Sequence, residues 1–260
     1  MSADLHVHRY GPATAIRVLA IHGLTGHGKR WESLATGHLR DVAVAAPDLL
    51  GHGRSSWSAP WSIDANVEAL AALLVAEADG PVLVVGHSFG GALALNLAAV
   101  RPDVVAGLVL LDPAVGLDGR WMREIAENML ASPDYAGREQ ARTEKATGSW
   151  ADVDPAALDA ELDEHLVEWP GGRVGWRLSL PAMISYWSEL ARPVVVPRSG
   201  TGTTLVRATR TDPPYVTDTL IEALDASLGP DFIQVEVDCN HMVPLARPAE
   251  TAALIRERLG

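Results

Sequence analysis

Short β-branched apolar runs alternate along the chain with longer segments rich in alanine and leucine. This rhythm predicts strands at residues 16–21, 42–45, 81–85, 107–111, 203–208 and 232–237. Helices are expected over 62–78 and 90–100, from near Thr217 to a stop at Gly229 and Pro230, and over 248–259. Most of these strands are apolar at successive rather than alternate positions, so both faces of the sheet must be covered, as in a mostly parallel sheet flanked by helices. The expected class is therefore α/β.

The alternation stops between residues 113 and 199. There strands vanish from the pattern, and five of the eight tryptophans (Trp121, Trp150, Trp169, Trp176 and Trp187) fall in this stretch. Asp154 followed by Pro155 is a helix start, with an N-cap acceptor and proline at N1. The helix it opens carries Glu161, Asp163 and Glu164, which read as a solvated acidic face. The expected organisation is one core, residues 1–112 and 200–260, interrupted by a helical cap at 113–199.

Residues 81–91, Pro-Val-Leu-Val-Val-Gly-His-Ser-Phe-Gly-Gly, change the picture from architecture to chemistry. A buried strand ends in Gly86-His-Ser88-Phe-Gly90 and opens an alanine-rich helix, the strand–turn–helix context in which G-x-S-x-G acquires meaning. Glycines two residues either side of Ser88 remove the Cβ atoms that a tight elbow would force into contact. A serine hydroxyl needs a base. His241, just beyond the last strand and before the last helix, emerges at the same sheet edge. A carboxylate must then hold the imidazole tautomer. Asp212, on the loop leaving strand 203–208, is preferred, and Pro213 behind it keeps it extended. Asp218, in the first turn of the next helix, is the alternative, and Asp112, at the end of strand 107–111, is a third. A developing oxyanion needs two amide donors, assigned to Phe89, after the nucleophile, and to Leu24, in the loop following Ile21-His-Gly. Trp57, Trp61 and the insertion tryptophans are candidates for an apolar acyl pocket. His6 and His8 read as an exposed N-terminal strand rather than as ligands, and no metal or cofactor is expected.

Composition narrows the partners. Across 260 residues, 21 Lys and Arg oppose 33 Asp and Glu, giving −12. Phosphate-backbone binding draws on the opposite sign, and an anionic membrane surface would repel such a chain, so neither nucleic acid nor stable membrane insertion is expected. The lone Cys239 permits no intrachain disulfide, no leader-like start is seen, and no apolar run approaches membrane-spanning length; a cytoplasmic protein is expected. Sequence offers no basis for an oligomeric state.

Taken together, these residues resemble the α/β-hydrolase family, of serine esterase or lipase type, across essentially the whole chain. The order Ser88, Asp212, His241 is that family's order of nucleophile, acid and base. His22-Gly23 is similar to its oxyanion loop, Asp48-Leu-Leu-Gly-His-Gly-Arg-Ser55 to the turn before its nucleophile strand, and the insertion to its cap. The resemblance implies a carboxylesterase or lipase acting on a small or lipid-like ester through an acyl-enzyme on Ser88. A thioesterase, C–C hydrolase or lyase of the same fold, or an idle ligand-binding scaffold, are the alternatives.

Overall fold

The computed structural model describes residues 5–260; Met1–Asp4, on which part of the leader reading rests, lie outside the described residues. The chain runs β1 (Val7–Tyr10), β2 (Val18–Ile21), α1 (Glu32–His38), β3 (Val44–Pro47), α2 (Ile63–Glu77), β4 (Val82–His87), α3 (Phe89–Val100) and β5 (Val105–Leu111). Next come α4 (Gly119–Ala131), α5 (Arg138–Thr147), α6 (Pro155–His165), β6 (Leu166–Trp169), β7 (Arg173–Trp176) and α7 (Leu180–Glu189). The chain closes with β8 (Gly202–Ala208), α8 (Asp218–Leu228), β9 (Phe232–Val237), α9 (Val243–Ala246) and α10 (Pro248–Leu259). This is the α/β-hydrolase fold, a mostly parallel sheet of order β1-β3-β2-β4-β5-β8-β9 in which β1 alone is antiparallel to its neighbour.

Alternate residues of the central strands feed two cores. Val84, Leu108 and Leu110 pack with α2, α3 and α8 on one face, while Leu83, Val85, Val109 and Leu111 pack with α1 and α10 on the other. Covering both faces is what the uninterrupted apolar runs require. Because β2, β4, β5, β8 and β9 are parallel, the loops leaving their C-terminal ends share one edge, where ligands of open α/β sheets bind.

Two expectations about residues 113–199 need correction. The stretch is not wholly helical, since β6 and β7 form an antiparallel hairpin with Val167 opposite Gly175 and Trp169 opposite Arg173. Gly171 and Gly172, both at positive φ, turn the chain between them. The strands are only four residues long and carry Glu168 and Arg173, which hid them, although Pro170-Gly-Gly is a turn signal. Nor is the acidic face of α6 solvated throughout: Asp163 is exposed, but Glu161 and Glu164 are drawn into contacts. Glu161 is buried, with its carboxylate 2.5 Å from Arg30, 2.9 Å from His27 and 3.0 Å from Lys145. Burial opposes ionisation, but Arg30 and then Lys145 hold the Glu161 carboxyl well below the usual range. Glu164 beside it takes Lys29 at 3.0 Å and pairs with Arg54. Residues of the insertion thus clamp the segment just after β2.

Removing one partner of a buried charge cluster leaves the others unpaired, so Glu161→Ala should lower the unfolding free energy by about 3–5 kcal/mol. Glu77 pairs with Arg9 at 2.6 Å near the surface, and Glu77→Ala should cost no more than about 1 kcal/mol. Urea denaturation midpoints of both variants measure the contrast; equal losses would sink it.

Candidate active site

Ser88 sits between the end of β4 and the start of α3 with φ 55° and ψ −120°, a conformation rarely adopted by a residue bearing a Cβ. The glycines around it make that turn buildable. A Cβ on Gly86 would lie 2.3 Å from the Gly90 carbonyl oxygen, and one on Gly90 would lie 2.2 Å from that of Ile21. The turn is held by the Ser88 N–H donating to the Leu111 carbonyl, and by the Gly91 and Ala114 N–H groups donating to the Ser88 carbonyl.

Beside the elbow, the His241 ring nitrogen Nδ1 lies 2.6 Å from Asp112 Oδ2. An ionised carboxylate only accepts, so this bond places the proton on Nδ1 and leaves Nε2 with its lone pair. Asp112 is fully buried immediately after β5, at φ 43°, with its N–H donating to the Val206 carbonyl and its Oδ1 accepting from the Ala208 N–H at 3.1 Å. Two further rings fix the imidazole. Tyr215 stacks on it with centroids 3.9 Å apart, and His87 Nε2 lies 2.8 Å from the His241 carbonyl oxygen. Burial, then repulsion from His241, pushes His87 well below the usual imidazole range, so it donates as a neutral ring.

The carboxylate against His241 is thus Asp112, not the Asp212 that the sequence reading preferred. Asp212 is exposed and takes no part in the hydrogen bonds of His241. Asp218 begins α8, where Thr217 caps the helix by accepting from the Leu220 N–H. Both loops leave the same sheet edge, but β5 lies between β4 and β8 and so carries Asp112 one strand away from Ser88. Arg210 bonds Asp238 and the Cys239 carbonyl, anchoring the other loop two residues beyond β8. The sequence signal for Asp112 was its position directly after a buried strand. Tyr215 and His87 carried no comparable signal.

The proposed oxyanion donors sit on the other side of Ser88. A Cβ on Gly23 would approach Ser88 Cβ to 2.8 Å, so only glycine lets the loop after β2 come so near. Among the described residues, neither the Leu24 nor the Phe89 N–H is engaged in a backbone hydrogen bond; Phe89 opens α3, where N–H groups lack intrahelical partners. The loop is rigidly held. The Leu49 N–H donates to His22 Nε2 at 3.0 Å, His22 Nδ1 lies 2.8 Å from the Gly23 carbonyl, and Arg30 and His165 both bond the Thr25 carbonyl. Accepting at Nε2 requires a neutral His22, and burial pushes its pKa well below the usual value.

Beyond Thr25 opens a cavity of about 510 Å³ lined by Ile125, Met129, Pro133, Trp150 and Trp176. Two of the expected pocket tryptophans therefore line one space, whereas Trp57 is 46% exposed. Lys145 also borders the cavity, 3.7 Å from the centre of the Trp176 ring, and burial lowers it to about 8.

A parallel sheet with a serine elbow, an adjacent His–Asp pair and two unengaged amides defines an α/β hydrolase. The model of the alpha/beta hydrolase family matches residues 18–254, and the chain belongs to that family. It is 66% identical to lipase LipV of Mycobacterium tuberculosis over 260 residues, covering all of this chain and 99% of that one. The sn-1-specific diacylglycerol lipase ABHD11 of Mus musculus is 32% identical over 69% of this chain and 60% of its own length. Among solved structures, E-2-(acetamidomethylene)succinate hydrolase superposes with a TM-score of 0.82 at 21% identity, over 98% of this chain and 94% of that one.

Two outcomes follow from this geometry. Asp112→Asn should lower kcat by roughly 10⁴-fold by reversing the His241 tautomer, while Asp212→Asn leaves it within about twofold; steady-state ester hydrolysis by the two variants decides between the acids, and the opposite ranking would return the role to Asp212. Stability should also fall with acid. His52 is lowered to about 4 by burial, so below about 6.5 the unfolded chain binds a proton that the folded chain refuses until about 4. The unfolding free energy then drops by up to ~1.4 kcal/mol per pH unit across that window from His52 alone; urea midpoints at about pH 7.5, 6 and 5 test the slope.

Proposed function

We propose that the chain hydrolyses carboxylic esters through an acyl-enzyme on Ser88. The observation that carries the reading is the 2.6 Å bond from His241 to buried Asp112 beside the strained serine elbow. His241 Nε2 takes the Ser88 hydroxyl proton as Oγ attacks the ester carbonyl. The Leu24 and Phe89 N–H groups receive the oxyanion, and Asp112 stabilises the imidazolium. His241 then returns the proton to the leaving alcohol. Water enters, is deprotonated by the same nitrogen, and releases the acid by the reverse sequence.

Nucleophile, base, acid and oxyanion donors are all supplied by the chain itself, so the reaction as written needs no cofactor. The names of the relatives, a lipase over the full length and a diacylglycerol lipase over part, favour an oxygen ester over the thioester, C–C and lyase readings. The insertion, residues 113–199, acts in this reading as the cap, with the tryptophan-lined cavity beyond Thr25 taking the apolar part of the substrate. Such a substrate is neutral and apolar, which suits a chain of net charge −12 and leaves no role for nucleic acid. The single thiol, Cys239, is buried and pushed up to about 12, so it stays protonated and fits a cytoplasmic setting.

With p-nitrophenyl butyrate, rapid mixing should give a burst of nitrophenol approaching one equivalent of enzyme. Ser88→Ala should abolish the burst and lower turnover by a factor on the order of 10⁶. A variant that keeps wild-type turnover, or a wild-type enzyme inert toward a fluorophosphonate probe, would overturn the proposal.

A further inference from the structure

On the edge of the sheet away from Ser88, the antiparallel pairing of β1 with β3 sets Val7 opposite Pro47 and His8 opposite Ala46. Continuing the register brings His6 opposite Asp48, and the Asp48 N–H donates to the His6 carbonyl at 2.8 Å. Residues two apart on a strand project from the same face, and directly paired residues share a face. His6, His8 and Asp48 are thus gathered on one side, with a ring nitrogen of each histidine and a carboxylate oxygen all within 4.8 Å of one another. His8 Nε2 lies 3.3 Å from Asp48 Oδ1 without the alignment of a hydrogen bond, and it is buried with no aligned hydrogen-bond partner among the described residues.

We propose that His6, His8 and Asp48 form a binding site for a borderline divalent metal ion of the Zn²⁺ type, separate from the catalytic centre. A buried ring nitrogen that faces a carboxylate without an aligned hydrogen bond calls for an explanation, and a metal ion shared by the two supplies one. In a tetrahedral site with bonds of 2.0–2.1 Å, ligand atoms stand roughly 3.3 Å apart. The His8 to Asp48 separation already has that value, and the exposed His6 ring closes the third position by rotating. The carboxylate is pre-aimed from behind, because Oδ1 accepts from the Gly28 N–H at 2.7 Å and Oδ2 from the Arg54 N–H at 2.8 Å, leaving each oxygen a lone pair. Space for the His8 ring depends on Gly28, where a Cβ would come within 2.8 Å of His8 Cδ2. Two imidazoles and one carboxylate suit Zn²⁺, Ni²⁺ or Cu²⁺, whereas Mg²⁺ and Ca²⁺ call for oxygen-rich cages. The solvent-facing side at His6 leaves the fourth position to water.

The site touches the oxyanion loop from the rear. Leu49, next to Asp48, donates to His22, and Gly28 lies just downstream of that loop. Occupancy would therefore stiffen the turn on which the His22 bond depends.

Isothermal titration of EDTA-treated full-length protein with Zn²⁺, repeated with Co²⁺ followed by visible absorption, tests the proposal. Saturable binding near one ion per chain is expected, with the d–d bands of a low-coordinate Co²⁺ site. His8→Gln should weaken the affinity by at least roughly tenfold, His6→Gln together with His8→Gln should remove it, and His38→Gln, on the exposed end of α1, should leave it unchanged. Zn²⁺ should also raise the Tm of the wild type but not of the double variant, whose metal-free thermal transition verifies that it folds. Absence of saturable binding overturns the proposal. So does undiminished binding by the folded double variant, which would put the ion elsewhere, for instance on His241.

Discussion

The backbone at Ser88 is the constraint around which the rest of the molecule is arranged. A non-glycine residue at φ 55° and ψ −120° is strained by about 1–3 kcal/mol and persists only where its surroundings over-determine it. Here the surroundings are the middle of the sheet. β4 lies between β2 and β5, its residues are buried throughout, and α3 opens directly after the serine. Gly86 and Gly90 let β2, β4 and α3 approach to distances that any side chain would prevent. The strain therefore raises the hydroxyl above the sheet edge while the core holds both flanks of the turn.

The same elbow organises what faces it. The residue before Ser88, His87, bonds the backbone of His241, and the residue after it, Phe89, presents its amide at the start of α3. Gly23 packs on Ser88 from the β2 side, so the loop after β2 is positioned by contact with Ser88 itself. The imidazoles that brace this region, His22 and His87, are held neutral by burial. A charged His22 would lose its acceptor and release Leu49. Burial of histidine is in this way a structural requirement of the site, and sensitivity to acid comes with it.

Much of this was legible in the sequence, and what was missed shares a cause. Five buried strands, the half-exposed edge strand β9, the elbow at Ser88 and the position of His241 rest on local patterns of apolar runs and glycines, and those patterns record local sterics. The partner of His241 was not legible, because Asp112 and Asp212 both follow strands ending at one edge. Only the sheet order, with β5 adjacent to β4, separates them, and that order is a long-range property. Glu161 was misread for a related reason. A carboxylate in an acidic helix looks solvated until Arg30, His27 and Lys145, distant in sequence, are brought round it. Tyr215 lies three residues past the aspartate that sequence favoured, so the right loop was noted for the wrong side chain.

Placing the acid on β5 has a consequence for how the imidazole is held. Had the carboxylate come from the loop after β8, that loop would have had to fold inward over His241. Instead Asp112 reaches across to β8, its N–H on Val206 and its Oδ1 on the Ala208 amide, so β8 orients the acid through its backbone. The loop beyond is free to carry an aromatic side chain, and Tyr215 covers the outer face of the imidazole while Trp121 of the insertion packs on Tyr215 at 5.2 Å. The ring is then fixed from three directions: by β4 through His87, by β5 through Asp112, and by an aromatic pair reaching into the insertion. Trp121, on α4, thus reaches the His241 ring through Tyr215, tilted against the tyrosine while the tyrosine stacks on the imidazole, so the insertion meets His241 through aromatic packing.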